Sequence, residues 1–313
     1  MASYRQLHLV GALRTRVEKA RAMMEACCLC PRCCRANRLA GEIGQCRVGE
    51  QVIVSSYGPH FGEEAPLVGR NGSGTIFFTN CNLHCVFCQN YTISHAGEGT
   101  PVSNETLARI ILSLQERGCH NINLVSPTHV VPFILDALDL ATSQGLNLPL
   151  VYNSGGYDSL ETLKLLDGIV DIYMPDMKYS DSRTGERLSD VKDYAEINRI
   201  AVKEMYRQVG NLQIDEYGIA RRGLLIRHLV LPNGLAGTEK TVSFLAQEIS
   251  TDTYVNIMAQ YRPHHQANTM PQISRPVNAS EFREAINLAR RYGIHQLDKD
   301  YALPPLHHCE KKQ

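Results

Sequence analysis

From residue 75 onward the chain repeats one pattern: a short apolar, β-branched run, a turn, then a longer stretch with apolar positions three and four apart. The apolar runs fall at 75–79, 121–125, 148–152, 169–173, 224–231 and 254–258. Their length and β-branched content predict buried strands. Helical spacing fills the intervals. Leu107, Ile110, Ile111 and Leu114 follow Ser103, which suits an N-cap, and Gly118 ends the pattern. Further helices are expected over 130–144, 159–166, 194–209, 240–249 and 280–292. Residues 210–222 break the rhythm and read as a hairpin with its turn at 215–218. Strands alternating with helices make a parallel sheet with right-handed crossovers. Eight such units close a full barrel. The six counted here predict an α/β fold, a partial (β/α)6 barrel open at one side.

Ahead of this repeat, residues 1–25 read as one amphipathic helix with Leu9, Leu13, Val17 and Ala20 on its apolar face. Residues 26–50 are rich in cysteine and glycine, and 52–54 read as a short strand. Three regions result: an N-terminal helix and Cys-rich metal-binding extension (1–70), the barrel (71–297) and a polar tail (298–313) expected to be flexible.

Composition narrows the choice of function. Of 313 residues, 43% are hydrophobic, enough for a large core, and 32 Lys plus Arg balance 32 Asp plus Glu. A balanced charge gives no reason to expect nucleic acid or an anionic membrane as partner. No apolar stretch approaches the ~18 residues of a membrane span. Residues 1–20 lack the apolar run of a signal peptide. A cytoplasmic protein is expected, and in that reducing compartment cysteines stay thiols rather than disulfides.

That makes the 11 cysteines informative. Nine fall in two groups: Cys27, Cys28, Cys30, Cys33, Cys34 and Cys46, then Cys81, Cys85 and Cys88. Clustered cytosolic cysteines are metal ligands or catalytic thiols more often than not. Cys119 reads as a small core residue, and Cys309 belongs to the tail. The second group has the spacing Cys-x3-Cys-x2-Cys, with Phe87 before its last member. It directly follows the first strand, where reactive groups of such folds gather. A zinc knuckle completed by His84 or a distant histidine competes with this reading, but zinc sites pair two short arms and no second arm is present.

The triplet resembles the signature of the radical S-adenosylmethionine superfamily, and the resemblance covers roughly residues 75–261. It implies a [4Fe–4S] cluster held by Cys81, Cys85 and Cys88. Three thiolates leave one iron open, and an open position distinguishes a reactive metal site from a structural one. In the family, S-adenosylmethionine fills it and is reductively cleaved to a 5′-deoxyadenosyl radical.

Further segments resemble a narrower group, the pyruvate formate-lyase activating enzyme-like proteins. They are Cys27-x-Leu29-Cys30-Pro31-Arg32-x-Cys34, Gly44-x-Cys46, Phe87-Cys88-Gln89-Asn90-Tyr91 with Ile93-Ser94, Pro127-Thr128-His129, Tyr152-Asn153-Ser154-Gly155-Gly156-Tyr157, Pro175-Asp176-x-Lys178 and Ile226-Arg227-His228. This resemblance implies that Phe87 packs near the adenine and that Asp176 and Lys178 lie against S-adenosylmethionine. Arg227 would stand near its carboxylate, and Asn153 and Ser154 near its ribose or methionine moiety. It also implies a reductant such as flavodoxin or ferredoxin, and a protein or small-molecule substrate. Glycyl-radical installation on a partner protein is one version. The physics agrees: a zwitterionic sulfonium needs a cation for its carboxylate and acceptors for its amino group and hydroxyls. Arg227 lies in an apolar strand, so it needs a partner, the cofactor or an acid such as Asp176. One departure stands out. The family's Gly-Gly-Glu after the second strand is replaced by Ser126-Pro127-Thr128-His129, leaving Ser126 or Thr128 for the amino group and His129 for a structural role.

In the first group, Cys27, Cys30, Cys34 and Cys46 suit a second metal site, zinc or iron–sulfur, which soft thiolates do not distinguish. Cys28 and Cys33 are spare, or replace Cys27 and Cys34. The reading from another class is a non-catalytic zinc-binding or iron–sulfur scaffold that keeps the cysteine pattern; the metal bound separates the two.

Overall fold

The computed structural model describes residues 2–298; the expectations for 299–313, Cys309 included, lie outside them. The chain opens with α1 (Tyr4–Leu9) and α2 (Ala12–Ala22). The single helix expected over 1–25 is thus divided. Gly11 takes a left-handed φ of 74°, open to glycine because it has no Cβ. Leu9 is 74% exposed instead of buried, while Leu13, Val17 and Ala20 keep the buried stripe.

After the Cys-rich loop come β1 (Val52–His60), α3 (Ala65–Val68), β2 (Ser73–Phe78), α4 (Tyr91–Ser94) and β3 (Thr100–Val102). Next are α5 (Asn104–Glu116), β4 (Ile122–Val125), α6 (Val131–Ser143), β5 (Leu150–Ser154), α7 (Leu160–Leu165) and β6 (Ile172–Pro175). The last are α8 (Ser182–Ser189), α9 (Tyr194–Val209), β7 (Gln213–Ile214), β8 (Ala220–Leu229), α10 (Thr238–Phe244), β9 (Tyr254–Met258) and α11 (Ala279–Arg291). Ser103 caps α5 as expected, accepting from the Thr106 amide.

Strands β2, β4, β5, β6, β8 and β9 pair in that order, all parallel. Among the described residues no strand joins β9 to β2, so the (β/α)6 barrel stays open. The expected hairpin forms from β7 against β8, with the Gly218 amide donating to Asp215 O across its turn, 3.0 Å. Three features lay outside the sequence pattern. β1 runs nine residues rather than three. It and β3 form an antiparallel edge outside β2. The strands expected from 148 and 169 start at Leu150 and Ile172 and run on through Asn153-Ser154 and Met174-Pro175, residues that read as turns.

Alternation along each strand sorts the core into two faces. Leu124, Tyr152, Tyr173, Leu224 and Val255 pack outward in the main core with the helices. Val151, Ile172, Met174, Leu225 and Tyr254 face inward and form a separate cluster with Leu67 of α3. Leu67 reaches the lumen because the segment before β2 reaches over to β9. The Asn256 amide donates to Glu64 Oε1 at 2.9 Å, and the Asn121 amide to Leu67 O at 2.8 Å. This segment plugs the lumen next to the open seam. Among the described residues no helix is long and apolar enough to cross a membrane.

Leu67 is fully buried, so Leu67→Ala should cost about 2–5 kcal/mol in a urea unfolding titration, the range for truncating a packed leucine. A loss under about 1 kcal/mol would mean that α3 does not fill the lumen.

Candidate active site

The loop after β2 carries the cysteine triplet. Asn80 turns it in a left-handed conformation, φ 69°. Cys85 is buried, and Cys81 and Cys88 are half-buried. Each sulfur has a polar neighbour: Ser189 Oγ lies 2.9 Å from Cys85 Sγ and Ser94 Oγ 3.1 Å from Cys88 Sγ, and the Leu83 amide donates to Cys81 Sγ at 3.4 Å. Helix α8, which the polar sequence SRTGERLS hid, braces this loop: the His84 amide donates to Ser189 O at 3.2 Å and the Val86 amide to Leu188 O at 2.9 Å. Burial pushes the Cys81 thiol up to about 12, and burial also raises Cys85.

The ends of three neighbouring strands supply the facing charges. Asp176, just past β6, accepts from Arg227 Nε of β8 at 2.9 Å and from Lys178 Nζ at 2.5 Å. Arg227 Nη2 also donates to Asn153 Oδ1 of β5, 2.6 Å. Burial pushes the Asp176 carboxyl up, but the Arg227 and Lys178 cations outweigh it and hold the acid below its ordinary value. Burial disfavours the Lys178 ammonium and the Arg227 guanidinium, and the neighbouring anions together, Asp176 first with Glu64 and Glu63 adding for Arg227, more than offset this.

Residues that sequence reasoning did not single out fix this geometry. Asp158 is buried and accepts from Ser154 Oγ (2.6 Å), Thr128 Oγ1 (2.6 Å) and Tyr152 OH (3.0 Å). From α9, Tyr194 OH donates to Gly155 O at 2.8 Å and accepts from the Lys178 amide at 3.1 Å. Asn198 donates to both Gly156 O and Asp176 O at 2.9 Å. Gly156 has φ 74°, and a Cβ there would collide with Asp176 O and the Asn198 amide. Its doublet with Gly155 was the one local hint that two strand ends come this close.

A cavity of about 160 Å³ is walled by Cys81, Cys85, Cys88, Ser126, Asn153, Ser154, Asp176, Lys178 and Arg227. A second of about 230 Å³ shares Cys85, Cys88, Asp176, Lys178 and Arg227 and adds Phe87, Met258, Gln260 and Tyr261. Phe87 is buried, edge-on to Tyr261 (5.7 Å) and Tyr179 (6.4 Å). The structure therefore gathers Cys81, Cys85, Cys88, Asn153, Ser154, Asp176, Lys178 and Arg227 around one cavity and sets Phe87 on the second. A larger cavity of about 450 Å³, between α8, α10 and α11, contains none of them. His129 is buried and structural, its Nε2 3.0 Å from Thr79 O. Thr128 is committed to Asp158, which leaves Ser126 facing the cavity.

The donor set fits the group that its spacing suggests. A cubane takes each thiolate on its own iron, and three thiols share one loop beside a cavity that also carries two cations and several acceptors. Among the described residues no three His, Cys, Asp or Glu side chains are placed to hold a single metal ion.

In the N-terminal group, Cys27 and Cys46 are buried and Cys30 and Cys34 half-buried. Burial pushes the Cys30 thiol up to about 12, with Cys46, Cys27 and Cys34 adding to the rise. Cys28 and Cys33 form a disulfide, correcting the expectation that every cysteine stays a thiol and removing this pair as alternative ligands. The tight loop brings them together: the Cys33 amide donates to Cys30 O at 3.0 Å, and Cys33 takes φ 40°.

A family model described as the Radical SAM superfamily matches residues 75–211. An uncharacterized protein of Methanocaldococcus jannaschii is 34% identical over 295 residues, 90% of this chain and 79% of its own length. Among solved structures, Streptococcus suis SuiB bound to precursor peptide SuiA is similar with 13% identity and a TM-score of 0.47, over 68% of this chain and 44% of that one. A radical SAM methyltransferase from Sphaerobacter thermophilus gives 13% and 0.46, over 70% and 64%. The chain thus spans about half to two thirds of these solved chains.

Asp176→Asn leaves two half-buried cations without their acid and should cost about 1.5–3 kcal/mol in denaturant titration, the range for hydrogen bonds to charged groups. The pH sign follows from the lowered acid. Its contribution is full above the ordinary carboxylate value, about 4, and is lost as pH falls through the lower folded value. Wild-type stability should therefore drop in acid more steeply than that of Asp176→Asn; parallel curves would sink this assignment.

Proposed function

We propose that the chain, whose residues 75–211 match the Radical SAM superfamily model, is a radical SAM enzyme, that Cys81, Cys85 and Cys88 hold a [4Fe–4S] cluster and that the two adjoining cavities take S-adenosylmethionine. The observation that carries this is the shared wall: the cysteines, Asp176, Lys178 and Arg227 face one space. When bound, the cluster and S-adenosylmethionine supply one-electron cleavage of a sulfonium carbon–sulfur bond, and with it a 5′-deoxyadenosyl radical for hydrogen-atom abstraction. The protein's own side chains bind and orient. Lys178 and Arg227 offer the cations for a carboxylate. Asn153 and Ser154, the latter anchored by Asp158, offer polar contacts for a ribose or the methionine moiety. Phe87 and Tyr261 offer an apolar wall for a purine ring. Ser126 stands where the family's acid is missing and takes the amino group.

We propose further that the electron comes from a small carrier such as flavodoxin or ferredoxin, and that the hydrogen atom comes from a protein or small-molecule substrate. Activation of a glycyl-radical partner is the protein version. Cys27, Cys30, Cys34 and Cys46 are proposed to hold a second metal, zinc or iron–sulfur, on the strength of their spacing; no three of them stand placed for a single ion, so binding would have to draw the sulfurs together. A zinc scaffold without catalysis is the competing reading, resting on the same four thiols.

Anaerobic reconstitution with iron and sulfide, followed by dithionite and S-adenosylmethionine, should release 5′-deoxyadenosine, and Cys85→Ala should abolish it. Zinc as the sole bound metal, with no product, would favour the scaffold. Cys30→Ala should lower the metal count of the purified protein and leave the iron held by Cys81, Cys85 and Cys88; an unchanged count would remove the second site.

A further inference from the structure

We infer that Ser189 and Ser94 donate their hydroxyl protons to the sulfurs of Cys85 and Cys88, raising the reduction potential of the cluster. This rests on the proposed ligation by those cysteines.

The geometry permits one direction of donation. Ser189, at the end of α8, is fully buried, with Oγ 2.9 Å from Cys85 Sγ and 2.7 Å from Tyr179 OH. Ser94, at the end of α4, is also buried, with Oγ 3.1 Å from Cys88 Sγ and 2.8 Å from His95 Nδ1. A ligating cysteine is a thiolate, has no proton and only accepts. A serine has one proton to give and lone pairs to receive. Each serine proton therefore points at sulfur, and the outer partner must donate to the serine oxygen. Two relays result, Tyr179 to Ser189 to Cys85, and His95 Nδ1–H to Ser94 to Cys88.

Both serines are held in place. Backbone bonds from His84 and Val86 tie the end of α8 to the cysteine loop, so Ser189 does not swing away. Tyr179 is itself buried, edge-on to Phe87 and Tyr194. Ser94 is fixed by its own amide, which donates to Asn90 O at 2.9 Å. Cys81 receives only the Leu83 amide at 3.4 Å, so the three ligands are unequally supported. A donor aimed at a cluster sulfur favours the more negative, reduced state, and hydrogen bonds to sulfur are among the determinants of cluster potential. Ser189 and Ser94 are thus positioning residues that act through the cysteines.

The test is a redox titration of the reconstituted protein followed by electron paramagnetic resonance, with no S-adenosylmethionine added. S189A and S94A should each move the midpoint to a more negative potential, and the double variant further still. Y179F keeps the serine, so it remains informative if S189A does not take up a cluster; it should shift in the same direction by less. S113A, whose hydroxyl binds Ile110 O on α5, is the control and should stay at the wild-type value. A merely structural role would lower unfolding stability and leave the midpoint in place. Full iron and sulfide content with an unchanged midpoint in S94A and Y179F would overturn the inference. A wild-type protein that takes up no cluster would instead overturn the ligation on which it rests.

Discussion

Removing an ionised group from water is costly unless a countercharge and hydrogen bonds replace the water. Asp176 is the point at which this molecule meets that demand. Its two oxygens are taken by Arg227 and Lys178, and Arg227 extends the linkage to Asn153. Glu64, buried on the far side, draws on Arg227 in turn: burial pushes its carboxyl up and the guanidinium pulls it back. Two acids and two bases thus balance across β5, β6, β8 and the segment plugging the seam. This exchange ties the ends of β5, β6 and β8 together, and Asn153, Asp176, Lys178 and Arg227 line one cavity with the cysteine loop.

Charge alone does not set geometry to within a hydrogen bond. That is the work of α9 and α8, which lie outside the sheet and reach its rim with single side chains. Tyr194 and Asn198 bind the backbone carbonyls of Gly155, Gly156 and Asp176, so the two turns are held relative to each other by groups that do not titrate near neutrality. Helix α8 does the same for the cysteine loop through its last two carbonyls. A site built on braced elements keeps its alignment better than one built on free loops.

This division explains what could be read from the chain beforehand. The triplet at 81–88 is a local signal, since spacing within one loop determines which atoms it can hold. The inner strands were visible because burial on both faces leaves near-continuous apolar runs. Asn153, Asp176, Lys178 and Arg227 were found through short motifs that resemble a known family, each lying at or near a strand end. What stayed hidden depends on partners distant in sequence. Helix α8 is mostly polar and contains Gly185, which is there because Tyr194 packs against it, 2.8 Å from where a Cβ would stand. The break at Gly11 separates two stretches with the same apolar rhythm, so periodicity alone joins them. Glu64 and Ser189 look like surface polar residues until β9 and the cysteine loop are placed beside them. The Cys28–Cys33 disulfide was argued against from compartment, a property of surroundings rather than of the loop that brings the two together.

The same reasoning shows why the N-terminal cysteines are more than an appendage. Arg32, inside their loop, donates to Asn82 O between Cys81 and Cys85 at 2.6 Å, and to Asp190 O beyond α8 at 2.9 Å. Arg38 is fully buried, stands over the Phe133 ring at 5.6 Å and donates to His129 O at 2.8 Å. His129 then meets Thr79 O, one residue before the turn into the triplet. A guanidinium cannot give up its charge to ease its own burial, so Arg38 stays only while these carbonyls and the ring are in place. The loop that carries Cys27 to Cys46 and the loop that carries Cys81 to Cys88 are therefore ordered by the same hydrogen bonds. Whatever fixes one set of thiols in space helps to fix the other.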